Sequence, residues 1–200
     1  MDERKTQQIM ELTDKILPQR MQKNFEEIIQ KFEADPLIYV RGLLDGLKET
    51  FEKTVELQEQ GNKKEVAYIA FSLLYSKILQ KKNGLRIDVL DKDAYLDAEE
   101  VSFFWEPKEI FDYVDVDINY VVKYLSSSYV SLKEYEILEL YNSYLLNYYQ
   151  LLEILLYKIV PCIKDMKSYQ HLKKEPEVKV VVGEYMDKFH CICRLVEEGK

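Results

Sequence analysis

The chain has 200 residues, with 28 Lys plus Arg against 36 Asp plus Glu and a formal net charge of -8. This length is sufficient for one domain with a sizeable apolar core, and the negative charge disfavours binding to nucleic acid or to an anionic membrane surface. Two His, three Cys and six Gly are too few for most multi-ligand metal sites, for thiol chemistry or for a glycine-rich phosphate loop. We therefore predict no cofactor, no nucleic-acid partner and no membrane partner.

The N-terminal sequence and the cysteine count predict a cytoplasmic protein. Residues Met1–Lys5 lack the basic start and following apolar segment of a secretory signal. The odd set Cys162, Cys191 and Cys193 leaves one thiol that cannot pair within the chain, which is ordinary in a reducing compartment. The excess of 23 Lys over five Arg, together with 16 Tyr, indicates a low-GC bacterium or its phage as the source.

Helical periodicity extends over the first part of the chain in three segments. Apolar residues recur at steps of three and four over about 3–33, over 36–60 and over 64–82. Asp35 and Pro36 are typical of a helix start, since Asp caps exposed amides and Pro suits the first helical position. The segment 36–60 has the cleanest apolar stripe and is a candidate surface for homo-oligomerisation.

Residues 85–96 break the helical pattern. Apolar and polar residues alternate there, which is the spacing of a strand, so we predict a short extended piece. Asp97 and Glu100 then have the spacing of a capping box, which predicts a short helix that contains Trp105.

Two longer helices are predicted in the second half of the chain. One begins at Pro107, and the other extends over 132–160, where Ser131 and Glu134 form a second capping box. The helix over 132–160 is apolar on nearly all sides, apart from one narrow polar stripe. Such a pattern predicts the central helix of a bundle.

The helix over 132–160 is also long enough for a membrane span, since about twenty apolar residues suffice. Asn147, Gln150, Glu153 and Lys158 interrupt this stretch, however, and each of these side chains is costly in lipid. We therefore favour a helix buried in protein.

The last periodic segment, residues 178–196, has helical spacing, with a strand as the alternative because it begins Val-rich and contains Gly183. The patterns together predict an all-α fold. We expect a single domain, residues 1–200, of about seven helices around the apolar helix at 132–160, with one extended excursion near 85–96.

The net charge is concentrated in one acidic segment, residues 85–120. It contains 11 acids and 3 bases, whereas residues 1–84 contain 14 of each and residues 121–200 contain 11 of each. The segment also contains the only Trp. An acidic surface with aromatic side chains suits a basic protein partner, because charge speeds encounter and aromatic rings hold the contact. The alternative is a solvated face that keeps the protein soluble.

The first functional hypothesis is therefore a non-enzymatic interaction protein, such as an adaptor, inhibitor or immunity-type protein, that binds a basic protein partner. Its candidate binding residues combine acids and aromatic rings: Asp112, Asp115, Asp117, Tyr113, Tyr120, Tyr124 and Trp105. For Trp105 a place in the core is the alternative, because large aromatic side chains usually tie a short element to the body.

Two further hypotheses remain open. Acid pairs one helical turn apart can hold magnesium, which suggests a hydrolase of phosphorylated small molecules with Glu136, Glu139, Glu184 and Asp187 as ligands. The third hypothesis is homo-oligomerisation through the stripe of residues 36–60 without further activity. A metal site around Cys191 and Cys193 is disfavoured, because residues two apart on a helix point in nearly opposite directions.

Overall fold

The computed structural model describes residues 3–97, 99–127 and 132–196 of the chain. Its helices are α1 (Glu3–Ala34), α2 (Leu37–Glu59), α3 (Tyr75–Ile78), α4 (Lys108–Ser127), α5 (Glu134–Ile159) and α6 (Lys167–Gln170), and its strands are β1 (Val66–Leu73), β2 (Leu85–Asp91), β3 (Ser102–Trp105), β4 (Lys174–Glu184) and β5 (Phe189–Val196). Short 3-10 helices occupy Ala94–Leu96 and Val160–Asp165. The protein is a mixed α/β protein, so the predicted all-α bundle of seven helices is wrong.

The described residues form two compact units. Unit 1 comprises Met1–Tyr39 and Lys108–Leu152, and unit 2 comprises Val40–Pro107 and Glu153–Lys200. Unit 1 contains α1, α4 and most of α5, whereas unit 2 contains most of α2 and the five strands. The expectation of a single domain stays a prediction.

Unit 1 is built from amphipathic helices, as their sequence periodicity predicts. Pro18 lies inside α1 without ending it. The apolar side of α4 is buried at Val114, Ile118, Val121 and Leu125, which are spaced at three and four residues.

Helix α5 covers almost the whole predicted range 132–160, whereas Ser131 of the proposed capping box lies outside the described residues. Its buried side includes Tyr144, Leu145 and Tyr148. Other large apolar side chains of α5 are exposed, so the prediction of a central bundle helix, buried everywhere except along its narrow polar stripe, is wrong.

Unit 2 is built around a five-stranded mixed sheet with the strand order β3-β2-β1-β4-β5. The pairs β1/β2, β2/β3 and β4/β5 are antiparallel, and β1/β4 is parallel. Helix α2 buries Val40, Leu47 and Phe51 inside this unit. The predicted stripe of residues 36–60 is therefore largely core.

Strand β1 occupies part of the segment 64–82, for which a helix was predicted. Its residues are almost all buried, and it is the central strand, paired with β2 on one edge and with β4 on the other. A strand buried on both faces has a near-continuous apolar run, which periodicity cannot distinguish from a buried helix. Pairing with distant strands decides the conformation here.

Strand β3 replaces the predicted short helix that contains Trp105. It pairs with β2, so that Leu85 lies opposite Trp105 and Ile87 opposite Phe103. Gly46 of α2 permits the Phe103 ring to approach closely, because a Cβ atom at this position would lie 2.2 Å from the ring. The extended piece predicted near 85–96 is thus an inner strand of the sheet, followed by a loop.

Residues 178–196 form most of the β4–β5 hairpin. Val178, Val180 and Val182 are buried, and the residues between them are half-buried, which is the period-two pattern of a strand. The helical interpretation of this segment is wrong, and the strand alternative is correct.

Candidate functional site

The acidic segment is divided between the two units. Residues 85–107 belong to unit 2, where they form β2, β3 and the loop that joins them, and residues 108–120 belong to unit 1 as the first part of α4.

In unit 2, bases neutralise most of the acidic side chains of the segment. Asp97 forms an ion pair with Lys63, and both side chains are almost fully buried, at 3% and 0% exposure. The neighbouring Lys64 pairs with Asp93 in solvent, with exposures of 64% and 41%. Lys63 and Lys64 thereby tie the β2–β3 loop to the start of β1.

Arg86 is the third base that neutralises this part of the segment. Its Nε atom lies 2.9 Å from Oδ1 of the buried Asp88, and its guanidinium also contacts Glu100. The guanidinium stands 4.8 Å from the centroid of the Tyr185 ring. The side-chain nitrogen atoms of all three bases, Lys63, Lys64 and Arg86, thus interact with neighbouring groups of unit 2.

A small polar cavity of about 70 Å³ lies between the β2–β3 loop and the β4–β5 turn, lined by Asp88, Leu90, Ala94, Tyr95, Asp97, Glu100, Tyr185 and Met186. Ala94 and Met186 have left-handed backbone conformations, with φ of 52° and 59°. Burial raises the pKa of Tyr95, whose ring packs edge-on against Tyr185. Ligand pockets are usually of about 300 Å³ or more, so this cavity suits a few water molecules rather than a substrate.

A larger cavity of about 260 Å³ in unit 2 is lined by Lys164, Asp165, Tyr169, Gln170, Lys174, Leu195 and Val196. None of the binding residues predicted from the sequence lines it. Its lining combines two lysines, one acid and an apolar wall, without a convergent set of catalytic groups.

In unit 1, Asp117 is the centre of a buried polar network. Its carboxylate is only 1% exposed and accepts hydrogen bonds from Arg20 Nε at 2.6 Å, Asn24 Nδ2 at 2.7 Å and the Tyr144 hydroxyl at 2.5 Å. Asn24 also donates to the Tyr148 hydroxyl at 2.9 Å. This network joins α1, α4 and α5, so Asp117 is a structural acid and is not available to a partner.

Burial is the main cause of the altered acidity in this network. It raises the pKa of Tyr144, and the hydrogen bond to Asp117 raises it further. Burial likewise raises the pKa of Tyr148. Both hydroxyls therefore stay protonated, which suits a donor to a buried carboxylate.

The opposite side of α4 carries a regular exposed surface, which we call the α4 face: Asp112, Asp115, Val116, Tyr120 and Tyr124. Val116, Tyr120 and Tyr124 follow one another at four-residue steps and are between 40% and 58% exposed. Residues four apart lie one above the other on a helix. Asp112 precedes Val116 on the same line, and Asp115 flanks it.

Arg20 is a residue of this surface that the sequence analysis missed. Its guanidinium lies 4.3 Å from the centroid of the Tyr120 ring and also pairs with the buried Asp117. The ion pair with Asp117 fixes the position of the guanidinium, which in turn packs against one face of the exposed Tyr120 ring. The four-residue spacing of Arg20 and Asn24, which places both on the same side of α1, was the sequence signal that could have identified Arg20.

Two further predicted residues are not free contact points. The Tyr113 hydroxyl donates to Glu27 at 2.8 Å and accepts from Lys31 at 3.2 Å. Trp105 is buried in unit 2, where its side chain lies near Gly42 of α2. For Trp105 the core alternative is therefore correct.

The proposed magnesium ligands are distributed over both units. Glu136 and Glu139 lie on α5 in unit 1, and Glu184 and Asp187 lie at the β4–β5 turn in unit 2. Within residues 3–97, 99–127 and 132–196, no group of three or more His, Cys, Asp or Glu side chains could hold a metal ion.

Cys191 and Cys193 lie on strand β5, where residues two apart point to the same face only if the strand pairing is regular. A bulge separates them in the β4–β5 pairing, and Cys191 donates through its Sγ atom to the carbonyl oxygen of Cys193 at 3.3 Å. The two thiols thus do not form a ligand pair.

No helix in the described part of the chain has both the length and the apolar character that crossing a membrane requires.

Comparison with known proteins found no matching family model, no matching curated protein and no matching solved structure.

Proposed function

We propose that this protein is a non-enzymatic binding protein of the cytoplasm, acting as an adaptor, inhibitor or immunity-type protein, which docks a basic protein partner on the α4 face. The observation that carries this proposal is the line of exposed side chains Asp112, Val116, Tyr120 and Tyr124, each one helical turn from the next. The cytoplasmic location is supported by three free cysteines.

The apolar part of the α4 face supports a protein partner. Exposed apolar residues scattered singly are normal on a protein surface, whereas three large side chains in one line form a continuous strip. Tyrosine is also enriched at protein interfaces, because one end is apolar and the other can hydrogen-bond. A partner that covers Val116, Tyr120 and Tyr124 would bury this strip.

The charge of the α4 face supports a basic partner. Asp112 and Asp115 are exposed, and neither has an ion-pair or hydrogen-bond partner among the described residues. Farther along α4, the exposed side carries one basic side chain, Lys123. The partner that fits best therefore carries lysine or arginine opposite Asp112 and Asp115, and apolar groups opposite the two tyrosines.

The contact of Arg20 with Tyr120 supports Tyr120 as the anchor. Restricting a ring before binding lowers the entropy that association costs. Because the buried Asp117 forms an ion pair with Arg20, the orientation of the Tyr120 ring depends on the buried network of unit 1.

A random peptide library displayed on phage tests the proposal without a known partner. We expect wild-type protein to enrich peptides that combine Lys or Arg with apolar residues. Tyr120→Ala should weaken binding of an enriched peptide about 30-fold, the equivalent of about 2 kcal/mol for an aromatic anchor. The double variant Asp112→Asn/Asp115→Asn should slow association about tenfold at low salt and flatten its salt dependence.

The matched control is Asp45→Asn/Glu49→Gln, which removes the same charge from exposed positions of α2. It should bind the peptide like the wild type. Enrichment of acidic or uncharged peptides, or equal loss of binding in the control and in the α4 variant, would contradict the proposal.

A further inference from the structure

A second exposed surface lies on α5 in unit 1 and is distinct from the α4 face. Tyr135, Leu138 and Leu146 are between 37% and 51% exposed, and the half-exposed Asn142 lies between the two leucines. Tyr149, which is half-buried, continues the row. We call these five residues the α5 face.

The α5 face is symmetric about Asn142. Leu138 and Leu146 lie four residues before and after it, and Tyr135 and Tyr149 lie seven residues before and after it. At 3.6 residues per turn, all four lie within about 40° of Asn142 around the helix axis. The same residue types therefore occur in the same order when the helix is followed in either direction.

Asn142 carries an unsatisfied polar atom at the centre of this surface. Its Oδ1 atom is shielded from solvent and has no hydrogen-bond partner within the described part of the chain. A buried polar atom without a partner is unfavourable, because it has lost its hydrogen bonds to water without replacing them. A primary amide both donates and accepts, so the amide of a second Asn142 could satisfy it after a rotation of the side chain.

The charges near the α5 face distinguish two orientations of a second helix. Glu134 and Glu139 lie in the first half of the row, whereas the position symmetric to Glu134 is the neutral Gln150. A parallel pair would bring each glutamate close to its own copy, which is unfavourable. An antiparallel pair places Glu134 opposite Gln150 and avoids this repulsion.

We propose that the α5 face binds a second copy of this chain, with the two α5 helices antiparallel and related by a two-fold axis at Asn142. In this dimer Leu138 of one copy packs against Leu146 of the other, and the two Asn142 amides hydrogen-bond to each other. A two-fold interface uses the same patch on both copies, as the symmetric row requires. This dimer is independent of the α4 face.

Sedimentation velocity over about 5–200 μM protein tests the dimer. The wild type should sediment as a dimer whose fraction rises with concentration. Leu138→Glu/Leu146→Glu should be monomeric at every concentration, since the dimer interface would then contain four buried carboxylates. Leu79→Glu/Leu96→Glu, which changes two exposed leucines of unit 2, is the matched control and should remain dimeric.

Asn142→Asp is a milder second variant, because it keeps the size of the side chain and places two carboxylates at the axis. It should weaken the dimer at least tenfold at pH 7 while circular dichroism shows an unchanged fold. A wild type that stays monomeric at 200 μM would overturn the proposal, as would dimers that persist in Leu138→Glu/Leu146→Glu.

Cysteine cross-linking tests the orientation in a background in which the cysteines at 162, 191 and 193 are replaced by serine. Leu138→Cys protein mixed with Leu146→Cys protein should form disulfide-linked pairs, and each alone should form few. Efficient linking of Leu138→Cys protein to itself would show a parallel pair and overturn the antiparallel arrangement.

Discussion

Both parts of the acidic segment contain more acids than bases, seven against two in residues 85–107 and four against one in residues 108–120, but their surroundings differ. In residues 85–107, bases of unit 2 pair with four of the seven carboxylates, as Lys63 does with Asp97. In residues 108–120, Arg20 neutralises the buried Asp117, whereas Asp112 remains exposed without a partner among the described residues. A cluster of acids in a sequence is therefore no measure of the charge that a surface presents.

Whether an acid is buried or exposed also determines whether it affects the stability of the fold or the recognition of a partner. A buried carboxylate that loses its partner is strongly destabilising, whereas an exposed carboxylate contributes little to stability and acts mainly on association. Four predictions test this comparison.

The largest effect is expected for Asp117→Ala. This change leaves Arg20, Asn24 and Tyr144 without their shared acceptor and should lower the free energy of unfolding by about 3–5 kcal/mol, measured by urea denaturation. Asp115→Ala, two residues earlier on the exposed side, should change it by less than about 0.5 kcal/mol. Equal effects of the two changes would show that the two sides of α4 are not distinct.

The adjacent lysines of unit 2 provide the second test. Lys63→Met leaves the Asp97 carboxylate buried without its cation and should cost about 3 kcal/mol of unfolding free energy. Lys64→Met removes an ion pair of the same chemistry from the surface and should leave the melting temperature nearly unchanged. A similar loss in both variants would mean that burial does not distinguish these pairs.

The third prediction tests whether the first part of the segment is a strand packed on α2. Gly46→Ala forces a methyl group into the Phe103 ring and should destabilise the protein by about 1–3 kcal/mol in a thermal or urea melt. At Gly42 a Cβ atom would lie 3.8 Å from the nearest atom of Trp105, an ordinary contact. Gly42→Ala should thus be neutral or stabilise by up to about 1 kcal/mol, because alanine favours helix. Tolerance of Gly46→Ala would contradict the packing of β3.

The smallest effect concerns pH and the tyrosines around Asp117. Burial, and then the hydrogen bond to Asp117, raises the folded-state pKa of Tyr144 above its unfolded value of about 10. The resulting stability is fully present below about pH 10 and is lost as the pH rises towards the folded-state pKa. Unfolding free energy should therefore fall above pH 10, and Tyr144→Phe should make that fall less steep. Identical slopes between pH 9 and 11 in urea melts of the two proteins would contradict this.

Part of the site could be read from the sequence. The helical spacing that predicts α4 also places Asp117 three residues after Val114 and four before Val121, on the apolar side, and places Asp112 on the other side. Applied to each acid in turn, this criterion separates the buried carboxylate from the exposed ones. The bases that neutralise the remaining acids have no comparable local signal.

The sequence by itself determined α1, α2, α4 and α5, because an amphipathic helix satisfies its backbone hydrogen bonds within the segment and shows its buried side at a period of 3.6. It also determined the excess of acids between residues 85 and 120. The strands were decided by the tertiary structure, since β1 finds its hydrogen-bond partners in β2 and in the distant β4. The exposure of each acid was decided there too, because Asp117 meets a base 97 residues away in the chain, and Asp97 meets one 34 residues away.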